Sequence, residues 1–167
     1  MTKNFSVIGI ISLIFAMFIW GSSFIATKSA MNDLGPFTVI FLRMIIASLC
    51  FVYFIKRFLK YDFTKKDIKL ILLLALFEPC LYFVFEAKAL QYTTASQAGM
   101  ITSMMPIITA MAAGYFLKEI ITKQLIIGSL IAMGGAIWLS LQASSSFNAP
   151  NPLLGNFLEF LAMVCAA

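Results

Sequence analysis

The feature that most constrains this chain is a succession of long apolar runs separated by short polar breaks. Runs at 7–30, 37–55, 68–89, 95–117 and 124–141 are followed by a sixth that starts at 153 and continues to 167. A bilayer hydrocarbon core of about 30 Å is crossed by roughly 20 apolar residues in helical form, so these runs have the dimensions of membrane spans. In lipid the backbone must satisfy its own polar groups, and a helix does so within each segment. Composition agrees, with 62% hydrophobic and 11% charged residues against about 45–50% and about 25% in a soluble domain. A chain of 167 residues cannot hide that much apolar surface in one globule. The expected fold class is an all-α polytopic membrane protein with the lipid bilayer as its surroundings.

The breaks carry turn and cap chemistry. Asn32, Asp33, Gly35 and Pro36 end the first run and start the second, with Gly35 free to take positive φ and Pro36 suited to a first helical turn. Thr64 and Asp67 have the spacing of a capping box, with Asp where Glu or Gln is usual. The uncharged stretch 142–152 is the best linker candidate. The run from residue 7 is too long for an ordinary signal peptide and shows no evident cleavage site, so it reads as a retained span.

Charge sets the expected orientation. Lys56, Arg57, Lys60, Lys65, Lys66 and Lys69 are half of the 12 basic residues and share one break. Between two spans, such a cluster marks a cytoplasmic loop rather than a nucleic-acid surface. Alternation then places the N-terminus with Lys3 inside, Asp33 outside, Lys118 and Lys123 inside, and the 142–152 linker outside.

Five runs precede the linker. Because five is odd, a second copy of the same unit would enter the membrane inverted. Gly9, Ala16 and Met17 can be laid on Gly155, Ala162 and Met163 at one constant offset, directly after the linker. The sixth run, at 1.5 Å per residue, reaches only about 22 Å, less than the hydrocarbon thickness. The expectation is a chain that continues, with its second half outside the sequence given. The domain expectation is a first five-helix repeat over 7–141, an external linker over 142–152 and the start of a second, inverted repeat over 153–167.

Candidate site residues are the polar groups inside spans. Glu78 lies near the middle of its run, where a carboxylate costs roughly 2.5–3.5 kcal/mol even on lenient scales and is turned inward, protonated or paired. Pro79 follows and removes a backbone donor, which predicts a kink; Pro106 predicts another, with Thr102 and Ser103 able to satisfy freed carbonyls. Tyr82 and Glu86 share a helical face with Glu78, and the three make a polar stripe of the kind that lines a cavity. Arg43 either snorkels to the surface or pairs with Glu78 or Glu86. Lys28 and Lys88 either snorkel or rim a solute entrance. Trp20, away from the interface where Trp usually anchors, either lines the cavity or packs. Cys50, Cys80 and Cys165 read as buried free thiols, and with no CxxC pair and no His no metal site or cofactor is expected.

The strings "WGSSFIATKSA" (20–30), "GPFTVIFLRMIIA" (35–47), "AKALQYTTASQAGMITSMMPIITAMAA" (87–113) and "KEIITKQLIIGSLIAMGGAIWL" (118–139) resemble, in order and spacing, an EamA domain of the drug/metabolite transporter superfamily. The resemblance implies the first half of a ten-helix carrier built from two inverted five-helix repeats, exporting amino acids, other metabolites or drugs. The chain departs from the family pattern at Glu78 and Glu86, which suggests a cationic or zwitterionic solute, or proton coupling. The expected function is a secondary transporter, an exporter working by alternating access in the bacterial inner membrane, multi-pass with a cytoplasmic N-terminus. The alternatives are a non-transporting scaffold or sensor, or a five-helix half acting as a dimer. An enzyme is not expected, since no catalytic pair or metal cluster is recognisable.

Overall fold

The protein is described by a computed structural model covering residues 7–58, 60, 62–118 and 121–167, with Phe58 represented by its backbone alone. Lys3, on which the N-terminal orientation partly rests, lies outside the described residues. The described chain is all-helical: α1 (Val7–Asp33), α2 (Pro36–Val52), α3 (Ile55–Phe58), α4 (Lys65–Ala75), α5 (Tyr82–Tyr92), α6 (Ala95–Thr102), α7 (Met105–Phe116), α8 (Lys123–Leu141) and α9 (Pro152–Ala166).

The apolar runs map onto this order. Four helical stretches, Val7–Asp33, Lys65–Tyr92, Ala95–Phe116 and Lys123–Leu141, are long and apolar enough to cross a membrane. Helices α2 and α9 are also apolar but shorter, at 17 and 15 residues. The outer faces of α1, α2, α4 and α8 expose large apolar side chains such as Ile8, Phe41, Leu72 and Ile131, as helices bathed in lipid should.

Local chemistry sets the helix ends. Thr64 accepts from the Asp67 amide at 3.3 Å while Asp67 Oδ2 accepts from the Thr64 amide at 3.0 Å, closing the capping box that starts α4. Pro36 stands in the first turn of α2. Gly35 departs from expectation: it sits at φ −61° in extended backbone, because it caps the start of α2 rather than ending α1 in a left-handed turn. The helical run 65–92 is interrupted at Glu78 (φ −133°, ψ 116°), immediately before Pro79. The run 95–117 divides at Ser103–Met104, with Pro106 in the first turn of α7. There the Thr102 hydroxyl donates to the Ala98 carbonyl at 3.0 Å and the Ser103 hydroxyl to the Met100 carbonyl at 2.6 Å.

Burial concentrates where α9 crosses α5 and α6. Gly155 makes this possible: a Cβ there would stand 2.6 Å from the Thr93 Cβ and amide nitrogen. Ala162 and Met163 continue the same face of α9 against Tyr82. Towards the end of α5, Phe24 and Leu90 pack with Ala98, and Trp20 rests against them. The linker is folded down onto this corner. Ser146 and Ala149 exchange backbone bonds, and the Asn151 amide donates to the Tyr92 carbonyl at 3.3 Å. The cysteines correct an expectation: Cys50 and Cys80 are exposed on the outer helical surface and Cys165 is half-buried, all as free thiols. An apolar run leaves open which side of its helix faces the protein.

Candidate functional site

Helix α5 repeats polar side chains at helical spacing. Tyr82, Glu86 and Thr93 fall on one face with Ala89 and Leu90 between them, and all are buried. Glu86 accepts from the Tyr82 hydroxyl at 3.2 Å and from Arg43 Nη1 of α2 at 3.0 Å. The same Arg43 nitrogen donates to Thr27 Oγ1 of α1 at 3.1 Å, and the guanidinium lies 4.6 Å from the centroid of the Phe83 ring. Three helices thus converge on one ion pair. The pair is asymmetric: the Glu86 side chain is 2% exposed and that of Arg43 30%.

A second carboxylate approaches from α9. Glu159 stands one helical turn after Gly155, whose missing side chain lets α9 come close enough to bury it completely, at 0% exposure. Its Oε1 lies 3.5 Å from the Thr102 hydroxyl. That hydroxyl has one hydrogen, and the Ala98 carbonyl at 3.0 Å takes it, while 3.5 Å exceeds an ordinary O–H···O bond. Glu159 Oε2 has no hydrogen-bond partner among the described residues. Glu86 and Glu159 lie within electrostatic reach of one another and of the Tyr82 hydroxyl. The cluster holds two carboxyl groups and one guanidinium, so with both carboxyls ionised it would be one positive charge short of neutral.

One end of the cluster is tied by neutral hydrogen bonds. Asn156 Nδ2 donates to Ser140 Oγ at 2.9 Å, which leaves its Oδ1 to accept from Thr93 Oγ1 at 2.7 Å. Thr93 Oγ1 also sits 2.6 Å from the Gln97 side-chain oxygen position. A hydroxyl has one proton to give, so Gln97 must present its amide NH2 to Thr93 instead. Lys28 closes the corner, its ammonium donating to the carbonyls of Leu90 at 2.7 Å, Asn148 at 2.7 Å and Thr93.

Of the residues singled out by sequence, the structure brings Arg43, Tyr82 and Glu86 into contact and sets Trp20 beside them. Of Arg43's alternatives, pairing with Glu86 is the one observed. Glu78 stands apart: the interruption before Pro79 turns it out of the α5 register, and it is exposed on the outer surface of the described chain. Lys28 holds three carbonyls and lines a hollow of about 230 Å³ with Asn32, Gln91 and Asn148; Lys88 is exposed, 5.8 Å from the Phe37 ring centroid. Sequence reasoning did not single out Glu159, Thr27 or Phe83. Glu159 had a signal, as the one acidic residue in the sixth apolar run, by the same logic that selects intramembrane carboxylates. Thr27 and Phe83 had none, because their roles depend on which helices adjoin.

A separate hollow does not coincide with the charged cluster. It is an open groove of about 630 Å³ beside α9, lined by apolar side chains including Ile101, Phe157 and Phe160, with Ser140, Asn151 and Asn156 as its polar members. Neither Arg43 nor either buried carboxylate reaches it. The charged cluster has the specific chemistry, and the groove is an apolar surface between helices.

Comparison with known proteins gives the same class. Residues 7–141 match the EamA-like transporter family. An uncharacterized transporter of Bacillus subtilis, YetK, is 31% identical over 158 residues, which is 92% of this chain and 48% of the relative. A second from the same organism, YcxC, is 37% identical over 120 residues, 71% of this chain and 38% of the relative. An uncharacterized transporter of Archaeoglobus fulgidus is 33% identical over 136 residues, 81% of this chain and 41% of the relative. The chain thus spans less than half the length of each of these three relatives. No solved structure matches. Apolar helices of spanning length, an ion pair buried among them and a family match over most of the sequence lead to one assignment: the chain is a membrane protein of the EamA-like transporter family.

Proposed function

We propose that the protein is a secondary transporter that exports small metabolites, amino acids or drugs by alternating access. The observation that carries this reading is the Arg43–Glu86 pair at 3.0 Å with the second carboxylate of Glu159 buried nearby. Ionisable groups inside a membrane are costly and are kept where they meet a solute or an ion. Here the cluster joins α1, α2, α5 and α9, so a shift of one helix changes which charges are paired. The deficit of one positive charge favours a cationic or zwitterionic solute, or a proton. Proton coupling, tied by sequence to Glu78 and Glu86, moves on this reading to Glu86 and Glu159.

On the same reading, residues 7–141 are the first five-helix repeat of a ten-helix carrier, 142–152 an external linker and 153–167 the start of the second, inverted repeat. Two observations support it. The family match ends at residue 141, where the linker begins. The three residues of α9 that repeat α1, Gly155, Ala162 and Met163, all lie on the buried face of α9. The lysine and arginine bias supports a cytoplasmic N-terminus in the bacterial inner membrane.

The test is flux. The full-length protein in proteoliposomes is screened with radiolabelled amino acids and a cationic dye under an imposed pH gradient. Glu86→Gln and Glu159→Gln should each lower flux of any solute carried by about tenfold or more, the loss expected when a group acting only in the productive state is removed. Unchanged flux in both variants would remove the cluster from the transport pathway.

A further inference from the structure

At the end of α2 the chain makes a recess of a different kind. Tyr53, Phe54, Lys56, Arg57 and Lys60 line an open hollow of about 360 Å³. Lys56 and Arg57 of α3 and Lys60 beyond its end all line this one hollow. Tyr53 is 84% exposed, and its ring meets that of Phe54 edge to face at 5.2 Å. Large aromatic rings left in the open beside charges are what a membrane–water interface selects.

The cations here are uncommitted. Among the described residues the ion pair within 4.0 Å is Arg43–Glu86, so Lys56, Arg57 and Lys60 have no carboxylate partner there. Two acids lie in the same break, Asp62 and Asp67. Asp67 is occupied by Thr64, whose hydroxyl donates to it at 2.6 Å and whose amide donates at 3.0 Å. Three donors of positive charge therefore face one hollow and leave room for an anion. A guanidinium presents two parallel N–H groups that match two phosphate oxygens.

The surroundings of the hollow indicate what carries that anion. The recess begins at Tyr53, directly after the last turn of α2, where Leu49, Phe51 and Val52 are exposed. A free phosphate would use the cations and leave these surfaces untouched. An amphipathic ligand would use both, its phosphate among Lys56, Arg57 and Lys60 and its acyl chains along α2. We propose that this recess is a binding site for the phosphate headgroup of an anionic phospholipid. The site is separate from the Arg43–Glu86 cluster and does not depend on what the protein transports.

Native mass spectrometry of the full-length protein in neutral detergent tests it, with phosphatidylglycerol and phosphatidylcholine as probes. The variant Lys56→Gln/Arg57→Gln/Lys60→Gln is compared with Lys65→Gln/Lys66→Gln/Lys69→Gln, which removes the same charge from the same break, and with the single Arg57→Gln. Basic residues near a lipid surface each contribute about a further fivefold in affinity, so the first triple should weaken the tightest phosphatidylglycerol binding by about tenfold or more. The second triple should change it less than about twofold, with Arg57→Gln between the two and phosphatidylcholine binding unaltered. Inorganic phosphate at millimolar concentration should not displace the lipid. Equal losses in the two triples would reduce the effect to diffuse attraction and overturn the site. Phosphatidylglycerol binding no tighter than phosphatidylcholine would overturn it too. Displacement by inorganic phosphate would assign the recess to a free anion and refute the lipid.

Discussion

Gly155 is the position at which a single methyl group should separate α9 from α5. A Cβ added there would lie 2.6 Å from both the Cβ and the amide nitrogen of Thr93 and 2.9 Å from the Ala89 carbonyl oxygen. Ordinary carbon contacts lie at about 3.5–4.0 Å, so the helices must part by about 1 Å. Two of the three atoms met are backbone and have no rotamer by which to give way. Thr93 is further held through Asn156 at 2.7 Å and through its carbonyl by Lys28. Overpacking of this kind costs about 1–3 kcal/mol. A control comes from the same residue type: Gly134 and Gly135 of α8 have nothing within 4 Å of an added Cβ, and Gly→Ala inside a helix gains about 0.5–1 kcal/mol. Gly155→Ala should therefore destabilise while Gly134→Ala stabilises. Reversible unfolding of the full-length protein in mixed micelles, followed by tryptophan fluorescence, measures both. A Gly155→Ala variant at least as stable as the parent would refute the packing argument, and with it the reason given for the burial of Glu159.

Three further outcomes follow from the cluster and its corner. Arg43→Leu leaves Glu86 buried without its counter-charge, and should destabilise by about 3–5 kcal/mol in the same unfolding assay. Glu159→Leu removes a buried carboxylate whose Oε2 has no partner, so its stability should stay level or rise by about 1–4 kcal/mol while proteoliposome flux is lost; a destabilised variant would mean that Glu159 is held by something other than the contacts described. Lys28→Met leaves three carbonyls without their donor, at about 1–3 kcal/mol for each one that water cannot reach, and hydrogen–deuterium exchange should rise across 142–151 but not in α8.

Much of this protein is settled by its sequence. The number and position of the helical runs follow from apolar length, because lipid gives a backbone no partner but itself. The cap at Thr64, the start of α2 at Pro36 and the interruption before Pro79 follow from local hydrogen-bonding chemistry, which the tertiary structure leaves intact. Tyr82 and Glu86 were legible as one face because four-residue spacing is a property of the helix itself. What the sequence left open was which faces meet. Arg43 had two alternatives, and the placement of α2 against α5 decided for Glu86. Glu78 and Glu86 read alike as intramembrane carboxylates eight residues apart, yet the break in helical geometry at Glu78 takes the first out of the register that buries the second. Glu159 is the clearest case. Its burial depends on Gly155 admitting Thr93, a contact between residues 62 positions apart along the chain. Hydropathy and spacing describe one helix at a time, whereas a charge balance among α2, α5 and α9 exists only once those helices are packed.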